Sequence, residues 1–130
     1  MKIYIAGPFF TKEECHELEE MIRYVRELYP NSELFIPKEH FIPDGETMPN
    51  DVWAKKVFEM DVQELYDSDM VFALYLEHYS DTGTAWEIGY AYAKGIPVLL
   101  YCPKTNSDVS IMPFQSAEVI VFSKQLYNQK

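Results

Sequence analysis

The chain has 130 residues, of which 48% are hydrophobic, enough to build the core of one compact domain but too few for two. Its 21 acidic side chains outnumber 11 basic ones and give a formal net charge of −10. That charge repels the phosphates of nucleic acids and anionic membrane surfaces, so neither is an expected partner. We therefore expect residues 1–130 to form a single domain that binds a neutral or cationic small molecule.

The sequence also limits location and cofactors. No apolar run approaches the ~18 residues of a membrane span, and the start of the chain lacks the apolar region of a signal peptide. We therefore predict a cytoplasmic protein. Cys15 and Cys102 lie far apart, and together with the three histidines they show no metal-ligand spacing. We predict neither a metal nor an organic cofactor.

The first half of the chain alternates short apolar runs with one strongly periodic segment. Residues 2–6 are typical of a buried strand. Residues 11–29 carry apolar side chains at helical spacing, with Thr11 as the predicted N-cap. A short strand is predicted over 34–36. The excursion over 37–50 contains several prolines and is long enough to cover a site.

The second half repeats the alternation. Helices are predicted over 51–66 and 83–94, and strands over 70–76, 97–101 and 119–122. In the helix over 51–66, five apolar residues are predicted to face inward: Val52, Trp53, Val57, Met60 and Leu65.

This order predicts an α/β fold, a doubly wound five-stranded parallel sheet with helices on both faces. Ligands of such folds bind beyond the carboxyl ends of the strands, near the point where the strand order reverses. That rule indicates four places: the segments that follow Ala6, Ile36, Leu76 and Tyr101.

The densest candidate for chemistry is the segment from Asp81 to Glu87, which follows the third strand and opens a helix. One interpretation is structural, because Thr84 and Glu87 have the spacing of a capping box. The other is functional, because a carboxylate near a helix N-terminus is stabilised in its charged form and is then able to attack an electrophilic carbon. Asp61, in the middle of a helix, is either an exposed acid or a second functional carboxylate, whereas Asp69 is expected to be a structural cap or turn residue.

The turn after the first strand carries adjacent phenylalanines, Phe9 and Phe10. The acidic residues Glu13 and Glu14 follow and would repel a phosphate. A planar base therefore suits this turn better than a phosphate does. The alternative is that one of the two phenylalanines belongs to the core.

Together these segments resemble the nucleoside 2-deoxyribosyltransferase family. The resemblance extends over most of the chain, from Lys2 to about Met112. It is carried by Ile3–Thr11, by Asp61 with Ser68 and Asp69, by the D-x-G-T-A-W-E-I-G stretch that begins at Asp81, and by Gly95–Val98.

The resemblance implies a flavodoxin-like fold and a role for each matching residue. Glu87 corresponds to the nucleophile that attacks C1′ of the deoxyribose, and Tyr4 to the residue that orients it. Asp61 and Asp81 correspond to acids that face the base, one of which, when protonated, assists its departure. The implied substrate-binding residues are Gly7, Phe9, Phe10, Gly83, Ser110 and Met112.

Two positions depart from the family pattern. Ser110 stands where the family often has an Asn that reaches the sugar of a neighbouring subunit, and Asn106 is an alternative for that task. Where some members place a base-reading Gln, this chain offers His40 or Phe41. The family commonly assembles so that a neighbouring subunit completes each site, which implies a homo-oligomer here.

The predicted function is transfer of 2-deoxyribose between purine or pyrimidine bases through a covalent glycosyl ester on Glu87. The substrates would be a nucleoside and a free nucleobase. One alternative is a hydrolase, in which water resolves the intermediate. A nucleotide N-glycosidase would need a phosphate cradle, which the first turn does not offer, and a non-catalytic nucleoside sensor would have no use for three carboxylates around an uncharged sugar.

Overall fold

Strands and helices alternate along the chain and build one sheet. The computed structural model describes residues 1–76, 81–103 and 110–122, and the backbone of 125–128. The elements are β1 (Lys2–Ala6), α1 (Lys12–Leu28), β2 (Glu33–Phe35), α2 (Asn50–Tyr66), β3 (Met70–Leu74), α3 (Thr82–Ala93), β4 (Val98–Cys102), α4 (Ile111–Ser116), β5 (Val119–Phe122) and β6 (Gln125–Asn128). Two short 3₁₀ turns, Pro37–Glu39 and Gly45–Thr47, lie within the excursion between β2 and α2.

Among the described residues the sheet has the strand order β2-β1-β3-β4-β5-β6. Strands β1 to β5 pair in parallel, as predicted, and the order reverses between β1 and β3. The order 2-1-3-4-5 is that of flavodoxin-like doubly wound sheets, so the predicted fold class is confirmed. Strand β6 was not predicted and pairs antiparallel with β5 at the sheet edge. Its four residues are too few to show a clear period in the sequence.

Alternation along the central strands divides the core between the two faces of the sheet. On one face Ile3 and Ile5 of β1 pack with the buried side of α1, represented by Leu18 and Met21. On the other face the buried residues of β1 pack with residues of α2, α3 and α4; this second cluster includes Tyr4, Ala6, Leu65, Ile88, Ala91 and Phe114.

Helix α2 departs from the prediction that five of its apolar residues face inward. Leu65 is buried, but Val52 and Trp53 are exposed, and Val57 and Met60 are only partly buried. The prediction was wrong because the apolar residues of α2 do not share one helix face, so the sheet covers only some of them.

The predicted cap at Thr11 and the predicted structural role of Asp69 are confirmed. The Thr11 hydroxyl accepts a hydrogen bond from the backbone N–H of Glu14 at 3.1 Å and completes a capping box at the start of α1. The Asp69 carboxylate accepts one from the backbone N–H of Lys2 at 2.7 Å, which ties the start of β3 to the start of β1.

Candidate active site

A pocket of about 480 Å³ opens beyond the carboxyl ends of β1 and β3, where the strand order reverses. This reaction pocket lies where ligands bind in doubly wound folds. It is lined by Gly7, Phe9, Phe10, Pro37, Phe58, Asp61, Val62, Leu65, Asp81, Thr82, Gly83, Thr84, Trp86 and Glu87. The carboxylates of Asp61, Asp81 and Glu87 therefore share one cavity with the turn that follows β1.

Glu87 lies in the second turn of α3, and its side chain is hydrogen-bonded to a residue of the interior strand β1. The hydroxyl of Tyr4, in β1, donates a hydrogen bond to its Oε2. The Tyr4 side chain is fully buried, and burial together with the charge of Glu87 raises the pKa of its hydroxyl far above the ordinary value. Tyr4 therefore remains a hydrogen-bond donor and fixes one carboxylate oxygen of Glu87.

Asp81 caps the N-terminus of α3. Its Oδ2 accepts hydrogen bonds from the backbone N–H of Thr84, at 3.0 Å, and from the Thr84 hydroxyl. The N-cap of α3 is therefore Asp81 and not Thr84, and the interpretation of Thr84 and Glu87 as a capping box is wrong. Glu87 consequently lies beyond the cap and is aligned with the pocket.

Asp61 reaches the pocket from α2. Its Oδ1 is buried and has no hydrogen-bond partner among the residues that the structure describes. An unpaired buried oxygen costs free energy on the order of 1–3 kcal/mol, a cost that a ligand able to hydrogen-bond there would relieve. Asp61 Oδ1 is therefore available to accept a hydrogen bond from a ligand in the pocket.

The shared cavity alters the acidity of two carboxyl groups. Burial raises the pKa of Glu87 to about 7; the hydrogen bond from Tyr4 opposes that rise, and the charges of Asp61 and Asp81 add to it. Burial also raises the pKa of Asp61 to about 6, against the effect of nearby His40. Between about pH 6 and pH 7 the two carboxyl groups therefore hold about one proton between them, and Glu87, with the higher pKa, holds it more often than Asp61.

The turn after β1 forms a rigid aromatic wall. One carboxylate oxygen of Glu14 accepts hydrogen bonds from the backbone N–H groups of Phe10, at 2.7 Å, and Thr11, at 2.9 Å. The rings of Phe9 and Phe10 stack with centroids 5.4 Å apart, and 74% of Phe10 is exposed. Both rings therefore face the cavity rather than the core.

Gly7 and Gly83 allow the backbone to approach the cavity. A Cβ atom at Gly7 would lie 2.9 Å from Leu18 Cδ1 and 3.0 Å from Leu74 Cβ, so the turn fits only glycine without a shift. At Gly83 the nearest atom would be Asp81 Oδ1, 3.9 Å away. The two glycines thus serve different purposes, close packing at the first and an open helix start at the second.

A second aromatic cluster beside the reaction pocket was not predicted. Trp86 stacks on Tyr90 with ring centroids 5.6 Å apart and meets the edge of Phe58, on α2, at 5.4 Å. Trp86 directly precedes the candidate nucleophile Glu87 in the same motif, and that position could have predicted its place in the site. Phe58 gave none, because its neighbours in the sequence carry no recognisable motif.

Ser110 and Met112 are not among the residues that line the reaction pocket. Ser110 is the N-cap of α4 and Met112 lies in its first turn, where 77% of the side chain is exposed. Asn106, the alternative to Ser110, lies outside the described residues. The predicted roles of Ser110 and Met112 toward a neighbouring subunit stay predictions.

His40 and Phe41 line a second pocket, of about 710 Å³, that adjoins the first. The His40 ring stacks on Phe35 with centroids 4.3 Å apart, and Phe35 stacks on Tyr4 at 5.5 Å. An aromatic column therefore runs from the second pocket to the partner of Glu87.

Two further properties bear on what the chain binds. Within residues 1–76, 81–103 and 110–122, no group of three or more His, Cys, Asp and Glu side chains is arranged to hold a metal ion. Over the same part of the chain, none of the helices combines the length and apolar character needed to cross a bilayer.

Comparison with known proteins places the chain among enzymes of one kind. A sequence profile described as nucleoside 2-deoxyribosyltransferase matches residues 3–118. The nucleoside deoxyribosyltransferase of Lactobacillus leichmannii is 25% identical, over 95% of this chain and 85% of its own length.

Solved structures agree with the sequence matches. That of the 2-deoxyribosyltransferase from the psychrotolerant bacterium Bacillus psychrosaccharolyticus superposes with a TM-score of 0.81 and 32% identity, over 92% of this chain and 85% of its own. A conserved protein from Enterococcus faecalis V583 superposes with a TM-score of 0.68 and 33% identity, over 82% of this chain and 65% of its own.

Proposed function

Because this chain belongs to the nucleoside 2-deoxyribosyltransferase family, we propose that it moves 2-deoxyribose from one base to another by way of a covalent bond to Glu87. The observation that carries the proposal is the hydrogen bond from Tyr4 to Glu87 at the base of a pocket that also holds Asp61 and Asp81. Residues 1–130 would form the single domain that carries these side chains.

In the first step a carboxylate oxygen of Glu87 attacks C1′ of the bound deoxynucleoside. Tyr4 holds Oε2, which leaves Oε1 for the attack. The C1′–O bond forms as the C1′–N bond breaks, and the bonding electron pair leaves with the base. The product is a deoxyribosyl ester of Glu87 and a base that needs a proton.

Asp61 is the residue that best supplies that proton. Its carboxyl group lies in the same pocket, has an unpartnered oxygen and has a pKa raised to about 6, so it is protonated in part of the molecules near neutral pH. Asp81 is already used to cap α3, which favours a positioning role for it. Proton transfer from a placed carboxyl group contributes about 10²–10⁴-fold to such reactions.

The second step reverses the first. A ring nitrogen of the incoming base attacks C1′, the Glu87 carboxylate leaves, and Asp61 takes back the proton that the base loses. Two displacements at C1′ restore the original configuration, as in retaining glycosidases. The stacked Phe9 and Phe10 would hold the planar base in both steps.

We further propose that a second copy of the chain completes the site. Two apolar residues in the first turn of α4, Ile111 and Met112, are exposed over 72% and 77% of their surface. Tyr92 and Trp86 on α3 are also exposed. Large apolar side chains exposed on two helices that contact each other are typical of an interface.

The test is a base-exchange assay. The protein is incubated with 2′-deoxyinosine, with and without free adenine, and the nucleosides are separated by chromatography. We expect 2′-deoxyadenosine only when adenine is present, and none with Glu87→Ala. The matched control is Glu13→Ala, which removes an exposed carboxylate from the first turn of α1 and should behave as wild type.

Other outcomes of this assay would favour the alternatives. Hypoxanthine released at the same rate with or without adenine would indicate a hydrolase. Stoichiometric nucleoside binding without any product, unchanged in Glu87→Ala, would indicate a sensor and would overturn the proposal.

A further inference from the structure

The reaction pocket adjoins a second and larger pocket beneath the excursion between β2 and α2. This second pocket has a volume of about 710 Å³. The two pockets share Phe9, Phe10, Pro37 and Asp61, so they meet at the residues that face the base. Deoxyribose transfer between simple bases uses the first pocket and leaves the second without a role.

The walls of the second pocket are mainly apolar. Apart from the shared residues it is lined by Lys38, His40, Phe41, Ile42, Gly45, Glu46, Met48, Asn50, Trp53, Val57 and Met60. Val57 and Met60 are apolar residues of α2 that the sheet leaves only partly covered. Such a surface favours an apolar or aromatic group over a charged one.

Asp61 lines both pockets, so its hydrogen-bonding groups limit which bases can extend from one pocket into the other. Its unpartnered Oδ1 accepts a hydrogen bond, and in the protonated state its carboxyl group presents one donor and one acceptor. That pair complements the exocyclic amine and the adjacent ring nitrogen of an aminopurine, as an amide side chain does. A secondary amine still has one N–H for Asp61, while its substituent points away from the ring.

We propose that the second pocket extends the base site and receives an apolar or aromatic substituent carried on the exocyclic nitrogen of a base, as in 6-benzylaminopurine. The proposal rests on the proposed function, since it concerns the base that is transferred. Space is sufficient, because an apolar cavity of about 150 Å³ already binds benzene in another protein.

The experiment compares two acceptor bases, adenine and 6-benzylaminopurine, with 2′-deoxyinosine as donor. The measured quantity is the ratio of kcat/KM for 6-benzylaminopurine to that for adenine. Val57→Trp fills the second pocket, and Val52→Trp is the matched control, because Val52 is an exposed valine of the same helix that lines neither pocket. Should Val57→Trp not fold, Met48→Trp fills the pocket from the excursion between β2 and α2.

We expect wild type to use 6-benzylaminopurine within about tenfold of adenine, and Val57→Trp to lower the ratio by about tenfold or more. Val52→Trp should leave the ratio at the wild-type value. Transfer to adenine but not to 6-benzylaminopurine would overturn the inference and leave the proposed function intact, as would a ratio that is equal in the two Trp variants. Failure of transfer to both bases would overturn the proposed function and the inference with it.

Discussion

The hydroxyl of Tyr4 donates a hydrogen bond to Oε2 of Glu87, although 83 positions separate the two residues in the chain. Tyr4 lies in the interior strand β1, and α3 packs over it on the same face of the sheet. The fold thus joins a buried donor to a carboxylate whose acidity is otherwise set by burial and by two other acids.

Tyr4→Phe should lower kcat/KM below about pH 7 and approach the wild-type value at alkaline pH. The Tyr4 hydrogen bond lowers the pKa of Glu87, so its removal raises that pKa above about 7 and leaves less carboxylate at neutral pH. The measurement is kcat/KM for base exchange as a function of pH. Tyr24→Phe is the control, because Tyr24 packs against Phe72 on the opposite face. Equal values of kcat/KM for both variants below pH 7 would contradict the role given to Tyr4.

The pH profile of the wild type should be a narrow bell with its maximum between about pH 6 and pH 7. Below about 7 Glu87 takes up a proton and loses its nucleophilic form, and above about 6 Asp61 loses the proton that it gives to the base. The two limbs belong to the coupled pair rather than to either residue alone. Asp61→Asn should lower the rate and abolish the alkaline limb, and an unchanged alkaline limb would exclude Asp61 as the acid.

Glu87→Gln should stabilise the protein at alkaline pH while it abolishes activity. The folded state raises the pKa of Glu87 from 4.5 to about 7, so folded molecules bind more protons than unfolded ones between those pH values. Stability therefore falls as the pH rises through that window, and above it Glu87 costs on the order of 1–3 kcal/mol. Denaturant unfolding at pH 5 and pH 8 tests this.

The gain for Glu87→Gln should be present at pH 8 and small at pH 5. Glu13→Gln, at an exposed site, should show no such difference. A Glu87→Gln variant less stable than wild type at pH 8 would show that burial of this carboxylate is not the dominant cost.

Gly7→Ala should destabilise the fold by about 1–3 kcal/mol, because the new Cβ would press on Leu18 and Leu74. Gly89→Ala is the matched control, since nothing lies within 4 Å of a Cβ at that position in α3, and it should stabilise by about 0.5–1 kcal/mol. Thermal unfolding of both variants measures the difference. Equal melting temperatures would show that the turn after β1 yields to a methyl group.

Much of the fold was predictable because its signals are local. The alternation of apolar runs with periodic segments predicted five parallel strands, and Thr11 and Asp69 were recognisable as caps. Helix α2 was not predictable in the same way, because its apolar residues surround the helix and only contacts with the sheet decide which are buried. The antiparallel β6 depends on pairing with β5 and has no strong local signal.

The candidate site was predictable to the extent that its residues fall in one motif or carry a resemblance. The motif from Asp81 to Glu87 marked the right turn, but whether Glu87 caps the helix or faces the pocket depends on where α3 begins, and Asp81 decides that through its bond to Thr84. Phe58 lies in the site because α2 packs against α3, and no local sequence pattern predicts that contact.

The proposed mechanism requires that Glu87 become covalently glycosylated, and mass spectrometry measures this directly. The protein is mixed with 2′-deoxyinosine in the absence of an acceptor base, quenched in acid within the first turnover, and its intact mass and peptides are measured. We predict one added deoxyribosyl group on the peptide that contains Glu87, lost when adenine is supplied before the quench. Base exchange without any adduct, or an adduct that persists in Glu87→Ala, would contradict a covalent intermediate on Glu87.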